Sequence, residues 1–293
     1  MTAREPENLR LLGAAFGEDT MGKLFSGDSL VVDGVEFVSG YEPDSSADRF
    51  YIVKPLHLID RYRELSERAS GGNIVELGIA ESGSAALLAL WADPARLVTL
   101  DNEPERLVAL DRFIEARGLS DRLRPFYGVD QADRARLTEI VEQEFAGAQL
   151  DLVIDDASPA YAPTRASFET LFPYVKPGGL YIIEDWEADI AMADSVRKIL
   201  ADPDSPQYLA AKKSVSAALR GRGDATSAPR TSLARLALEL VVLAGGQSGL
   251  VSDLSINKSF VAVTRGEGPA VPGELRLDEF GVHGHNLLVP PPA

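Results

Sequence analysis

The chain has 293 residues, a formal net charge of −16 and no cysteine. The acidic charge argues against a general nucleic-acid binder, which needs a basic face to meet phosphates, and against binding to anionic membranes. Without cysteine there is no disulfide, no thiolate nucleophile and no Cys-ligated zinc. The N-terminal stretch lacks the apolar segment of a signal peptide, and no uninterrupted apolar run reaches about 18 residues. We therefore expect a soluble cytoplasmic protein.

The first segment, residues 1–49, is predicted to be an N-terminal cap, because it is too short to bury a core of its own. Glu5–Phe16 is compatible with a short helix. Ser29–Val38 has apolar residues on both sides of Asp33-Gly34, a dipeptide typical of tight hairpin turns.

The main domain is predicted to cover residues 50–265. A proline-initiated helix spans Pro55–Ser70, and apolar residues recur along it at helical spacing. Strands and helices then alternate, which predicts a Rossmann-like, doubly wound and mostly parallel α/β sheet. The predicted strands are 73–77, 96–100, 123–127, 150–154 and 180–183, and the helices between the first four are 84–91, 104–117 and 133–145.

The pattern changes after Trp186. A helix over Ala188–Leu200 is followed by residues 202–230, a Ser-, Pro- and Gly-rich stretch that we interpret as a mobile lid or insert. After a second helix, 232–244, the strands 250–255 and 259–264 are predicted to form an antiparallel pair that closes the sheet. Residues 266–293 form a Gly- and Pro-rich tail that contains His283 and His285.

The turn after the first strand of this domain is a candidate cofactor site. A glycine-rich turn between a strand and a helix lets a ligand approach the backbone and the helix N-terminus. The candidate cofactor-binding residues here are Glu76, Gly78, Ser82 and Ser84. The acids Glu76 and Glu81, and alanine rather than glycine at position 80, disfavour a pyrophosphate and favour a cationic cofactor such as a sulfonium with an amino group. A tight turn without a ligand is the alternative.

Two further acids follow the next two strands. Asp101 is placed to accept hydrogen bonds from ribose hydroxyls, and Asp130 would lie near an adenine, with Gln131 beside it. Either aspartate could instead cap the helix that follows it.

Four acids end the next two strands: Asp155 and Asp156, then Glu184 and Asp185. If these strands are parallel neighbours, they lie about 4.8 Å apart, and the carboxylates crowd together unless a cation separates them. Oxygen ligands of this kind suit Mg²⁺. The alternative is that one acid caps a helix while the others face solvent.

Several separated motifs together resemble class I S-adenosylmethionine-dependent methyltransferases. The nearest subgroup is the metal-dependent O-methyltransferases of antibiotic and sugar biosynthesis, the macrocin and mycinamicin sugar methyltransferases and cephalosporin hydroxylase-like proteins. The resemblance covers about Phe50–Trp186. The motifs that carry it are Val75-Glu76-Leu77-Gly78, Asp101, 128–130, Asp155-Asp156-Ala157-Ser158 and 171–185.

This resemblance implies methyl transfer from S-adenosylmethionine to a hydroxyl of a sugar-like small molecule, assisted by Mg²⁺. It implies Asp155, Glu184 and Asp185 as metal ligands, with Asp155 also near the cofactor. Relatives often have a histidine base where this chain has Pro159. Asp156 is therefore our first choice of base, with Tyr161 or a distant histidine such as His57 as alternatives.

Three other interpretations stay open at this stage. They are a metal-independent methyltransferase with a non-sugar acceptor, a non-enzymatic S-adenosylmethionine-binding protein and, less favoured, a nicotinamide dehydrogenase. The identity of the acceptor stays open, and a homo-oligomer is compatible with the sequence.

Overall fold

The computed structural model describes residues 28–40, 45–54, 56–204, 208–209, 212, 231–246, 249–258 and 260–280. The helix predicted at Glu5–Phe16, most of the predicted lid at 202–230, and His283 and His285 lie outside the described residues, as does the side chain of His57. None of the helices in these ranges is long and apolar enough to cross a membrane.

A small three-stranded sheet spans the boundary predicted between the N-terminal cap and the main domain. Strands β1 (Ser29–Val32) and β2 (Val35–Ser39) form the expected antiparallel hairpin, and β3 (Arg49–Ile52) lies parallel to β2. Asp33 and Gly34 both adopt positive φ, as a two-residue hairpin turn requires. Phe50 of β3 packs edge-on against Phe113, with ring centroids 5.5 Å apart, so this sheet is joined to the core of the main domain.

The main sheet has seven strands in the order β6-β5-β4-β7-β8-β10-β9. Strands β4 to β8 are parallel, and β10 runs antiparallel to both β8 and β9. The predicted doubly wound sheet with an antiparallel C-terminal pair is therefore confirmed. The strands are β4 (Asn73–Leu77), β5 (Arg96–Asp101), β6 (Leu123–Tyr127), β7 (Leu150–Asp155), β8 (Val175–Glu184), β9 (Val251–Ile256) and β10 (Phe260–Arg265).

Helices cover both faces of this sheet. One face, which we call the cap face, is packed by α1 to α3 and by the small sheet; the other, the outer face, is packed by α4, α5 and α7. Because side chains alternate along a strand, each strand residue belongs to one face only. The helices are α1 (Leu56–Arg68), α2 (Gly83–Ala92), α3 (Val108–Ala116), α4 (Arg134–Phe145), α5 (Tyr161–Leu171), α6 (Ala188–Ala201) and α7 (Ala234–Gly246).

Two element starts differ from the sequence-based prediction by four residues or more. Helix α3 begins at Val108 rather than at Pro104, after a polar loop in which Arg106 pairs with Asp111. Strand β8 begins at Val175, five residues early, because the pairing with β7 continues past an irregularity in register next to Leu150. Residues 176–179, which precede the predicted strand, are thus part of β8.

Candidate functional site

The predicted acids do not all lie on the same face of the sheet. In the β7–β8 register Asp155 is opposite Ile183, so Asp155 shares the outer face with Ile183, and Glu184 points to the cap face. Asp156, one residue on, comes to the cap face, where it meets the same partner as Glu184. We call Asp156, Glu184 and Asp185 the acid corner.

Asp155, predicted as a metal ligand and as a cofactor contact, is part of the buried core of the outer face. Its carboxylate accepts hydrogen bonds from Gln131 Nε2 at 2.8 Å, from Tyr181 Oη at 2.9 Å and from Ser167. The side chain is 2% exposed, and burial raises its pKa to about 7. This arrangement ties β7 to β8 and to α5, a structural role that the Asp-Asp pair in the sequence did not distinguish from binding.

Lys54 provides a positive charge at the acid corner. Its Nζ donates to Glu184 Oε2 at 2.7 Å and to Asp156 Oδ2. Burial alone would lower the pKa of Lys54, but the negative charges of Asp156 and Glu184 outweigh it, and the pKa is raised above its ordinary value. The ammonium is therefore held charged between two carboxylates.

Backbone contacts of the cap segment position this lysine. Lys54 lies two residues after the end of β3, and its carbonyl accepts a hydrogen bond from Ser39 Oγ at 2.8 Å. The carbonyl of Tyr51 lies so close to the start of α2 that a Cβ at Gly83 would be 2.3 Å from it. The sequence analysis did not identify Lys54 as a site residue. The signal that could have revealed it is a lysine at the end of a buried apolar strand in a chain with an unpaired acidic cluster.

Tyr62 completes the shell around Glu184. Its hydroxyl donates to Glu184 Oε1, and Lys54 Nζ lies 5.0 Å from the centre of its ring. Burial, followed by the charge of Glu184, raises the pKa of Tyr62 well above its ordinary range. Both oxygens of Glu184 are thus bound by donors from the cap segment and α1.

Glu76, a predicted cofactor-binding residue, is buried on the cap face. It is fully inaccessible to solvent, and neither carboxylate oxygen has a hydrogen-bond partner within the described ranges. Burial raises the pKa of Glu76 to about 8. Ser82 and Ser84, predicted with it, are also buried, and the hydroxyl of Ser82 donates to the carbonyl of Glu81 at 2.6 Å.

The turn after β4 has a left-handed backbone at every second residue. Gly78, Ala80 and Ser82 have φ values of +96°, +43° and +64°, a left-handed backbone that only glycine adopts without cost. A Cβ at Gly78 would lie 2.3 Å from the carbonyl oxygen of Asp156. Glycine is therefore needed at position 78 so that this turn can pack against the backbone at the acid corner.

Asp101 fixes the same turn from the neighbouring strand. Its Oδ2 accepts from the backbone N–H of Ile79 at 2.8 Å and of Ala80 at 3.2 Å, and its Oδ1 accepts from Glu103 N at 2.9 Å. Asp130 forms a similar local bond, from Ala132 N to its Oδ1 at 2.8 Å. Neither aspartate caps the helix that follows it, because the N-cap residues of α3 and α4 are Leu107 and Asp133. Asp101 and Asp130 both border open space.

That space is a cleft of about 130 Å³ over the carboxyl ends of β4 to β7. The carboxyl edge of an open parallel sheet is where ligands bind in doubly wound folds. The structure brings together Gly78, Asp101 and Asp130 in its wall, while the side chains of Glu76, Ser82 and Ser84 are buried beneath the turn. The lining consists of Leu77, Gly78, Leu100, Asp101, Asn102, Val129, Asp130, Gln131, Ala157, Ser158 and Pro163.

Tyr161, predicted as an alternative base, is engaged elsewhere. Its hydroxyl donates to Glu239 Oε1 of α7 at 2.7 Å and accepts from Arg165 Nη1 at 3.1 Å, while Arg235 lies over its ring. These contacts direct the side chain of Tyr161 towards α7. Tyr161 therefore belongs to a network of charged and polar side chains between α5 and α7.

The acid corner as arranged does not fit Mg²⁺. The ion needs near-octahedral coordination by oxygen atoms. Here Glu184 is occupied at both oxygens, Asp156 is bound to Lys54, and Asp155 faces the opposite side of the sheet. In the part of the chain that the structure describes, no group of three or more His, Cys, Asp or Glu residues is placed to hold a metal.

Comparison with known proteins gave no matching family model. Short segments are similar to sugar O-methyltransferases of antibiotic biosynthesis. The chain is 40% identical over 78 residues to mycinamicin VI 2''-O-methyltransferase of Micromonospora griseorubida, covering 21% of this chain and 20% of that protein. It is 48% identical over 60 residues to demethylmacrocin O-methyltransferase of Streptomyces fradiae, covering 20% and 14%. The matches thus span about a fifth or less of these relatives.

Solved structures with a similar fold were also found. A mycinamycin-pathway methyltransferase, MycE, in complex with Mg and SAH is 22% identical, with a TM-score of 0.44 over 78% of this chain and 51% of that chain. The O-methyltransferase TomG of Streptomyces achromogenes, in complex with SAM, is 14% identical, with a TM-score of 0.43 over 91% and 92%. The resemblance to O-methyltransferases of sugars and antibiotics that the motifs indicated is confirmed by the sequence matches.

Proposed function

We propose that this chain is an S-adenosylmethionine-dependent O-methyltransferase that acts on a hydroxyl of a sugar or of a glycosylated natural product. The observation that carries the proposal is the cleft at the carboxyl edge of the sheet, in which the turn at Gly78 and the carboxylate of Asp101 meet beside Asp156. The class of acceptor rests on the matched segments of glycoside O-methyltransferases.

The negative charge near the turn suits a methyl donor that carries positive charge. Glu76 is buried without a hydrogen-bond partner among the described residues, so its ionised form is costly until a cation approaches. S-adenosylmethionine carries an amino group and a sulfonium, whereas a pyrophosphate would add negative charge. Asp101 and Asp130, in the wall of the cleft, are the acceptors that would meet ribose hydroxyls and the adenine.

Bound S-adenosylmethionine supplies an electrophilic methyl group, so the protein needs to align the acceptor and take up a proton. Asp156 is the acid of the corner best suited to this task. Its side chain is 27% exposed, compared with 2% for Glu184, and only its Oδ2 is bound by Lys54. As the acceptor oxygen forms its bond to the methyl carbon and the carbon–sulfur bond breaks, Asp156 would accept the hydroxyl proton.

The Mg²⁺-assisted version of the reaction, which the sequence predicts, is the competing form. The acids that would hold the ion are Asp156, Glu184 and Asp185, which lie at one edge of the sheet, and the ion would polarise the acceptor hydroxyls. For the ion to bind there, Lys54 would have to leave the carboxylates of Asp156 and Glu184.

Calorimetric titration with S-adenosylhomocysteine tests the cofactor assignment. We expect binding by the wild type and a loss of about tenfold or more in Asp101→Ala, since the variant removes a ribose acceptor and loosens the turn. Asp121→Ala, at the amino end of the sheet, is the matched control and should bind as the wild type does. Absence of binding in the wild type, or measurable binding of NADH instead, would overturn the proposal. Binding without methyl transfer to any glycoside would favour the non-enzymatic alternative.

A further inference from the structure

We propose that the ammonium of Lys54 is the resident cation of the acid corner, and that this chain does not use a divalent metal there. The inference deepens the function proposed above, because it concerns how the same site is neutralised. The sequence of the acid cluster predicts a bound metal, but the arrangement of its side chains does not fit one.

The position of the ammonium is that of a bridging cation. Lys54 Nζ lies within hydrogen-bond distance of one oxygen of Asp156 and of Glu184 Oε2, at 2.7 Å in the second case. These acids come from two different strands, so the lysine neutralises the point at which the carboxyl ends of β7 and β8 meet. A metal bridging the same two acids would have to occupy the same space.

Lys54 is held in place by contacts of both its side chain and its backbone. Its side chain is 6% exposed, its backbone carbonyl is held by Ser39, and its ammonium lies over the ring of Tyr62. Tyr62 also takes the remaining oxygen of Glu184. A metal that displaced Lys54 would therefore leave a buried ammonium without its acidic partners, which is unfavourable.

A fixed ammonium accounts for how the corner can work without a metal. It keeps two neighbouring carboxylates close together, so that Asp156 stays in place with one oxygen directed away from Lys54. Glu184, which is buried, acts through Lys54 as a positioning residue. In this chain, which has Pro159 where its relatives often have a histidine, Lys54 would supply the cation and Asp156 the base.

Binding of Mn²⁺, followed by electron paramagnetic resonance and calorimetry on the full chain saturated with S-adenosylhomocysteine, tests this inference. We expect the wild type to bind no Mn²⁺ more tightly than about 1 mM. Lys54→Gln should bind at least about tenfold more tightly, because Asp156 and Glu184 then face each other without a counter-charge. Lys176→Gln, whose lysine pairs with Asp151 at the opposite edge of the sheet, is the matched control and should behave as the wild type.

The outcomes separate this inference from the proposed function. Stoichiometric Mn²⁺ binding by the wild type, unchanged in Lys54→Gln, would overturn the inference while leaving cofactor binding intact. Failure of the proposed function would instead appear as absent S-adenosylhomocysteine binding, measured in the same calorimeter without metal. If Lys54→Gln does not fold, the double variant Lys54→Gln/Glu184→Gln removes the buried charges together, and the wild-type titration still decides whether a metal binds.

Discussion

Glu76 provides the sharpest prediction about stability. Burial raises its pKa from an ordinary 4.5 to about 8, and its carboxylate has no hydrogen-bond partner among the described residues. The protonated form is thus favoured in the folded state. Stability from this group is fully present below pH 4.5 and is lost as the pH rises through about 8. One pKa unit corresponds to about 1.4 kcal/mol, so complete ionisation would cost the fold up to about 5 kcal/mol.

Glu76→Gln keeps the shape of the side chain and cannot ionise. Without cofactor, we expect the variant to match the wild type within about 1 kcal/mol at pH 5 and to exceed it by roughly 2–4 kcal/mol at pH 8. Urea unfolding at both pH values gives the free energies of unfolding, and the difference between proteins cancels the other titrating groups. Glu67→Gln, an exposed site on α1, is the control that should show no pH-dependent difference.

The same variant should bind S-adenosylhomocysteine more weakly, because it removes a negative charge beneath the turn that would attract the cofactor's amino group. A more stable protein that binds less well is the combined result we expect. The reasoning would be refuted if Glu76→Gln changed the free energy of unfolding equally at pH 5 and pH 8, since the cost would then not come from ionisation of the buried acid.

Three further variants test other parts of the structure. Asp155→Ala should lower the free energy of unfolding by about 2–4 kcal/mol in urea, because it strands the buried donors that bind this carboxylate; an unchanged stability would mean that Asp155 is not a core residue. Ala80→Gly should raise stability by up to about 1 kcal/mol by removing left-handed strain, whereas Ala85→Gly inside α2 should lower it by about 1 kcal/mol; equal effects at the two sites would argue against strain in the turn. Tyr161→Phe should leave methyl transfer within about twofold of the wild type while costing about 1 kcal/mol in thermal unfolding, and a loss of turnover at unchanged stability would restore Tyr161 as a site residue.

Periodicity and local composition were sufficient to predict the fold. Buried strands bounded by glycine or acid are short and apolar, so β4 and β6 were located with their observed bounds. The antiparallel closing pair followed from two adjacent apolar runs with a short connection. The start of β8 was missed because Pro177 and the glycines after it suggest a turn, although pairing with β7 holds them in the strand.

The sequence predicts the edge of the sheet at which the acids lie, but not the face of the sheet to which each acid points. In an Asp-Asp pair at a strand end, one residue faces each side, and only the register with the next strand decides which side holds the neighbouring acid. That register is a tertiary property, and it places Asp155 on the outer face and Asp156 on the cap face. Lys54 was missed for a related reason: it lies 102 positions before Asp156 in the chain, and only docking of the cap segment brings the two together.

Transfer of a labelled methyl group from S-adenosylmethionine to a glycoside hydroxyl tests the central claim most directly. We predict label in an ether of the acceptor with the wild type, and a fall in kcat of about a hundredfold in Asp156→Asn with unchanged affinity for S-adenosylhomocysteine. Wild-type turnover with Asp156→Asn equally active would contradict the role of Asp156. Label that stays in the donor with every glycoside offered would contradict the proposed function itself.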